Sequence, residues 1–312
     1  MNPMPTMQLI RNADVYAPEP LGVQQLLLGG GKVLWIGREL AALPVALPVE
    51  VIDLGGRRLI PGLIDGHVHV TGGGGEAGFS TRVPAPMLSR YTRAGVTSVV
   101  GLLGTDDVAR STRELVASIY ALREQGLNAW GYSGGYHLPP TTLTGSVRGD
   151  IVFAEAVELA RRGCCIDITA ELPSGAPVAE GEDAWSAADA LQRYLDSGAP
   201  VELVTISSDA GGCLPCFDHD GRVCGMAVGE SGALLATLNE LLGRGLAMAE
   251  ALPAFTSNPA RLLRLAGKGR IAAGADADLV ALDANGAASD VLIAGVTHVR
   301  AGEVQRRGIF EG

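Results

Sequence analysis

The period of the hydrophobic pattern changes twice along the chain. In residues 7–60 the apolar positions fall in short runs separated by turn residues. The runs at 24–28 and 32–36 flank Gly29-Gly30-Gly31, which predicts a β-hairpin, and a further short strand is expected at 49–52 after Pro44 and Pro48. The far end behaves the same way, with apolar runs at 277–282, 291–293, 296–300 and 304–305 separated by Gly and Asp. Neither end is long enough to bury a core alone. Residues 1–60 and 266–312 are therefore expected to fold together as one composite β-sandwich domain.

Between them, strand-like and helix-like periods alternate, the pattern of a parallel α/β sheet. Strands are predicted from Leu63 to Val70 and at 97–103, 128–131, 164–169 and 201–207. Helices are predicted at 85–94, 108–124, 153–162, 184–197, 232–244, 248–255 and 259–265. That makes five strands in the middle region 61–265. An eight-stranded (β/α)8 barrel takes ~250 residues, and this region offers about 205, so a closed barrel is under-supplied.

Composition narrows the class. With 312 residues, 47% hydrophobic content and a mean hydropathy of +0.24, the chain can bury a substantial core. No apolar run approaches the ~18 residues of a membrane span. The first twenty residues lack a basic segment followed by an apolar one, so a cytoplasmic location without membrane association is expected. A net charge of -10 argues against nucleic acid and for a small solute as partner. Five cysteines, two of them adjacent at Cys164 and Cys165, suit reduced thiols. Cys213-Leu-Pro-Cys216 has redox or zinc spacing but no second pair, and reads as two loop cysteines.

The candidate chemistry lies in Pro61-Gly-Leu-Ile-Asp-Gly-His-Val-His-Val-Thr-Gly-Gly-Gly-Gly-Glu76. Side chains two apart on a strand share a face, so His67 and His69 can present imidazoles to one metal ion. The alternative is a chance His-X-His pair, against which the four following glycines and a carboxylate weigh. Asp209 ends the last predicted strand, where parallel barrels build their sites. Two imidazoles and a carboxylate form a three-ligand catalytic zinc set, although Ser207-Ser208-Asp209-Ala-Gly-Gly would equally suit a cap or turn.

Pro61-Gly-Leu-Ile-Asp-Gly-His-Val-His resembles the first-strand signature of the amidohydrolase superfamily, and Thr256-Ser-Asn-Pro-Ala260 and Gly274-Ala-Asp-Ala-Asp-Leu-Val280 resemble its closing motifs. More narrowly, His69-Val-Thr-Gly-Gly-Gly-Gly-Glu-Ala-Gly78, the segment Ala94 to Thr105, Tyr136-His-Leu-Pro139 with Thr144-Gly-Ser-Val147, and Val204-Thr-Ile-Ser-Ser-Asp209 are similar to isoaspartyl dipeptidases. The resemblance covers nearly the whole chain. It implies a TIM-like (β/α)8 metal-dependent hydrolase barrel with a small β-sandwich formed by both termini, acting on isoaspartyl dipeptides. It further implies His67, His69 and Asp209 as metal ligands, with Asp209 also the general acid/base. Gly74, Gly75, Glu76 and Thr105 would bind substrate, Tyr136 would bind and polarise the scissile carbonyl, and Cys213 stands where the family has a substrate-contacting serine.

The chain departs from the family at 152/153, where three strand-helix units are missing. With them go a carboxylated lysine bridging two metals, two histidines for the second metal and arginines for substrate carboxylates. Of the five histidines, His137 can line the site or pack in a loop, His219 reads as a surface turn and His298 as part of the C-terminal β segment. The only lysines, Lys32 and Lys268, lie outside the middle region. One zinc ion is expected where the intact family holds two, in an incomplete barrel with a small peptide substrate. The alternatives are an inactive, internally deleted relative and an amidohydrolase acting on another, cyclic amide. Family members assemble into large homo-oligomers, which makes self-association an open expectation.

Overall fold

The computed structural model describes residues 7–40, 43, 47–75, 77–135, 165–172, 186–217 and 222–311. The chain opens with β1 (Met7–Tyr16), β2 (Pro20–Gly29), β3 (Lys32–Gly37), β4 (Val49–Asp53) and β5 (Arg58–Pro61). The predicted hairpin is β2–β3, paired antiparallel across Gly30 and Gly31, both at positive φ as the tight turn requires.

The middle region supplies five parallel strands: β6 (Leu63–Val68), β7 (Val96–Gly101), β8 (Asn128–Gly131), β9 (Ile166–Thr169) and β10 (Val204–Ser207). β7 pairs with both β6 and β8, and β9 pairs with β10. A parallel bridge between Val68 and Ala210 brings the two groups together. The spatial order is thus β8-β7-β6, then β10-β9. The first and last strands of the region are neighbours, as in a barrel, while among the described residues no strand covers the outer edge of β8 or of β9. This is an incomplete barrel wall, in agreement with the five-strand reading.

Local signals explain several boundaries. The helix expected at 85–94 begins only at Leu88, because Pro84 and Pro86 precede it and each restricts the residue before it. The helix expected from 108 spans Thr112–Glu124, since Ser111 caps it by accepting the Glu114 amide at 3.2 Å. Residues 201–203 form a 3-10 turn, so the last barrel strand is shorter than predicted. The Asn258 amide donates to the carbonyls of Val201 and Val204 at 2.8 and 2.9 Å and fixes that turn. The expected helix at 153–162 lies outside the described residues.

After β10 comes an antiparallel hairpin, β11 (Cys213–Phe217) and β12 (Val223–Val228). The loop reading of Cys213-Leu-Pro-Cys216 is therefore corrected: the segment is a strand, held by backbone pairing with β12. The last strands are β13 (Leu279–Leu282), β14 (Ala288–Ile293), β15 (Val296–Arg300) and β16 (Glu303–Val304).

Both chain ends meet in one nine-stranded sheet, β16-β15-β14-β13-β5-β1-β2-β3, with β4 also on β1. The seam is β13 against β5, Val280 opposite Ile60. Strand alternation sends Leu59, Leu279, Ala281 and Leu292 into a core with Ile10, Val15 and Leu26, while Ile60, Val280, Leu282, Val291 and Ile293 join the barrel core. At β13 and β14 the sheet is buried on both faces, in keeping with the continuous apolar run of β13, Leu279–Leu282.

Acidic residues of the Gly274–Val280 motif tie the two parts together. Lys268 reaches Asp276 at 2.9 Å and Asp278 at 2.6 Å, and Lys32 also pairs with Asp276. Asn128 at the start of β8 donates to Asp278 at 2.9 Å. Both lysines of the chain are thus engaged at the sheet rather than at the histidine strand.

Candidate metal centre

Three ligand-type atoms converge at the C-terminal ends of β6 and β10. The Nε2 atoms of His67 and His69 stand 3.3 and 2.9 Å from Oδ1 of Asp209, and the three ligand atoms lie within 4.8 Å of one another. The imidazole centroids are 5.5 Å apart with the rings inclined by 70°. This follows from the strand: His67 and His69 are two apart and share a face.

Asp209 arrives by a different route. It sits beyond β10 in the left-handed region, at φ 50°, uncommon for a residue with a side chain. A turn holds it there, with the Gly212 amide donating to the Asp209 carbonyl at 2.8 Å and the Ala210 amide to Ser208 Oγ at 3.1 Å. The turn and ligand readings of Asp209 are therefore compatible, since the turn aims the carboxylate at the histidines.

Glycines make room for this arrangement. A Cβ at Gly212 would lie 2.3 Å from the Asp209 carboxylate, and one at Gly229 only 2.0 Å from its carbonyl oxygen. Gly73 and Gly104 both face the His69 ring, where an added Cβ would come within 3.2 Å. The run after His69 is glycine for a related reason. At Gly72 and Gly74, both at positive φ, an added Cβ would meet the carbonyls of Val83 and Thr81 at 2.0 and 2.3 Å. Here it is the chain's own segment 81–83 that approaches the backbone.

The electrostatics favour a cation. Burial pushes the Asp209 carboxyl up, but the two histidines outweigh it and hold the group down to about 2. Burial alone would lower the His67 imidazole, and the carboxylates of Asp209, Asp167 and Asp65 raise it beyond that effect. Asp209 Oδ1 and His69 Nδ1 are nevertheless buried without a hydrogen-bond partner. A buried carboxylate oxygen facing two imidazole nitrogens without a formed hydrogen bond is a donor set of the kind that can hold a metal ion. The residues fit one zinc-type ion. Among the described residues this is the one such group of His, Cys, Asp or Glu, and nothing else there offers a second set.

Two residues beneath the ligands were not singled out from sequence. Asp65, fully buried on β6, accepts the Ser208 amide at 3.0 Å and the Ser208 hydroxyl. Burial raises its carboxyl to about 6 despite those bonds. Its signal was a carboxylate inside an apolar strand. On β9, Asp167 accepts the hydroxyls of Thr205 at 2.6 Å and Ser207 at 2.5 Å.

Of the residues expected to bind substrate, Gly74 and Gly75 lie on the loop after His69, and Thr105 directly follows Gly104 at the His69 ring. Cys213 opens β11 beside that loop, where a Cβ on Gly74 would stand 3.1 Å from its own, and its Sγ lies 3.5 Å from Met226 Sδ. Glu76, Tyr136, His137 and His219 lie outside the described residues. Among those described, no helix is long and apolar enough to cross a membrane.

A family model described as "Amidohydrolase family" matches residues 167–302. The chain is similar to the imidazolonepropionase of Colwellia psychrerythraea, 35% identical over 125 residues, 36% of this chain and 29% of that protein. It is 31% identical over 206 residues to that of Pseudomonas aeruginosa, 59% of this chain and 50% of the relative. The chain thus spans half or less of the length of these curated relatives. Among solved structures, the β-aspartyl dipeptidase of Fervidobacterium islandicum in complex with β-Asp-Leu dipeptide is 30% identical, with a TM-score of 0.85 over 96% of this chain and 99% of that one. The dihydropyrimidinase of Brevibacillus agri, at 16% identity and a TM-score of 0.60, shares the fold. Histidine strand, closing aspartate turn, barrel order and full-length similarity agree: the chain belongs to the amidohydrolase superfamily of metal-dependent hydrolases.

Proposed function

We propose that the chain hydrolyses isoaspartyl (β-aspartyl) dipeptides with a single zinc ion. The observation that carries this reading is the convergence of His67 Nε2, His69 Nε2 and Asp209 Oδ1, a set of three ligand atoms with no second set among the described residues. The similarity to a β-aspartyl dipeptidase over nearly all of both chains supports the substrate class.

His67, His69 and Asp209 would hold the ion. Zinc, when bound, supplies a Lewis acid that makes water nucleophilic near neutral pH and polarises a carbonyl. Asp209, kept anionic by the histidines, accepts the proton of the attacking water and delivers it to the leaving amine. Gly74 and Gly75 would present backbone to the aspartyl end of the substrate, with Thr105 and Cys213 bordering it, and the Glu76 carboxylate would suit its α-ammonium. Tyr136 would donate to the developing oxyanion. A thiol at Cys213 is a weaker hydrogen-bond partner than a hydroxyl, so that contact contributes little.

A second reading, hydrolysis of a cyclic amide, is supported by the imidazolonepropionase relatives, which match shorter stretches. Metal analysis of the purified chain, with β-Asp-Leu and a cyclic amide assayed side by side under zinc loading, separates the two. Zinc-dependent release of leucine is expected. Protein that binds no zinc and cleaves neither compound would mean an inactive relative, the reading favoured by β8 and β9 having no outer neighbour among the described residues.

A further inference from the structure

We propose that Arg110 is a positioning residue that sets the shape of the substrate-binding loop, an inference that rests on the dipeptidase reading for the loop's role. Arg110 precedes the helix Thr112–Glu124, and its side chain is only 4% exposed. A buried guanidinium is costly unless its donors are met. Here all three nitrogens are used. Nε donates to the Thr71 carbonyl at 3.2 Å, Nη2 to the Val83 carbonyl at 3.0 Å, and Nη1 to the Gly74 carbonyl and to Asp106 Oδ2, both at 3.4 Å.

Each arm reaches a segment that borders the metal centre. Thr71 is two residues from His69, Gly74 is on the expected substrate loop, Val83 lies on the segment packed over Gly72, and Asp106 follows Thr105. Asp106 also accepts Arg82 Nε at 3.1 Å and the Ala109 amide at 2.8 Å, so it ties loop 75–82 to the loop after β7. The guanidinium touches all four of these pieces. A loop with glycine at every position from 72 to 75 has little conformational preference of its own. A planar donor fork of fixed geometry supplies that preference from outside, whereas a lysine could place only one ammonium.

The test is amide hydrogen exchange on the zinc-loaded protein and on its Arg110→Met and Arg110→Lys variants. The amides of Gly73, Gly75 and Val83 are hydrogen-bonded in the loop and report its opening. Exchange there is expected to rise about 10-fold or more in Arg110→Met and less in Arg110→Lys, with β6, β7 and β10 unchanged. Zinc affinity should stay within about 3-fold of the parent, and with β-Asp-Leu KM should rise about 10-fold while kcat changes far less. Unchanged loop exchange overturns the proposal, as does acceleration spread equally over the barrel strands or a parallel loss of zinc. Should Arg110→Met not fold, Arg110→Lys carries the same comparison. If the parent protein cleaves no β-aspartyl dipeptide while loop exchange responds as expected, the substrate reading fails and the positioning role stands.

Discussion

Ser208 and Asp65 join the two strands that bring His67, His69 and Asp209 together. The Ser208 amide donates to Asp65 Oδ1 at 3.0 Å and its hydroxyl to Oδ2, both fully buried. Asp65 is two residues before His67 and Ser208 one before Asp209, so this contact sets the distance across which an ion would be held. The Val68–Ala210 bridge and the His69 amide, which donates to the Ala210 carbonyl at 2.8 Å, close the same junction.

Substituting Asp65 by Asn leaves the Ser208 donors poorly matched. Zinc affinity should fall about 10- to 100-fold, the usual effect of disturbing groups behind metal ligands. Ser208→Ala should act in the same direction and cost roughly 1–3 kcal/mol of stability through the unmet carboxylate. Chelator competition and denaturant unfolding measure the two effects; affinity equal to the parent's in both variants would remove Asp65 from this role.

Zinc should stabilise the fold through the same three residues. At ~100 times its dissociation constant, zinc is expected to add about 2.7 kcal/mol to unfolding. Asp209→Asn and His69→Ala should abolish that gain, apart from any lowering of the metal-free transition that loss of their mutual contact brings. Thermal unfolding with and without zinc reads this directly, and a persisting zinc-dependent rise in either variant would put the ion elsewhere.

Glycine positions should differ sharply in tolerance. Gly55, at φ 57° with open space around it, should accept Ala at the cost of backbone strain alone, roughly 1–2 kcal/mol. Gly72→Ala adds a Cβ 2.0 Å from the Val83 carbonyl on top of a φ of 77°, so it should be clearly more damaging. Equal unfolding midpoints for the two variants would contradict the close packing of segment 81–83 on the loop.

His298 should make stability depend on pH. It is fully buried on β15, both ring nitrogens lack a hydrogen-bond partner, and burial, reinforced by Arg306, pulls its pKa down to about 4 from an ordinary 6.5. Below pH 6.5 the unfolded chain takes up a proton that the folded chain refuses, so stability falls as pH drops toward 4, by up to roughly 3 kcal/mol. The unfolding free energy of the parent should fall relative to that of His298→Phe along that interval. A difference independent of pH would show that His298 is not buried neutral.

Much of this molecule was legible in local pattern. Short apolar runs between turn residues marked the terminal strands, and Gly29–Gly31 marked a turn, whereas the helix expected from 108 starts only after the Ser111 cap. The pair His67 and His69 announced one ligand face because strand geometry alone places alternate residues together. Boundaries slipped where tertiary contacts decide them, as at 201–203, where the Asn258 amide holds a 3-10 turn, and at Cys213–Phe217, where pairing with β12 makes a strand of a segment that reads as loop.

What the sequence by itself determined was the list of parts: a histidine strand, a glycine loop, an aspartate after the last strand, two β-rich ends and no lysine in the middle region. Their spacing is local, and local sterics and periodicity suffice to specify it. Only the tertiary structure decided that β6 lies against β10, so that Asp209, 140 positions after His69 along the chain, comes to 2.9 Å from it. Only it revealed Arg110 and Asp65 as the groups behind the site. Their effect comes from being buried among carbonyls and hydroxyls of distant segments, and no short-range pattern encodes that.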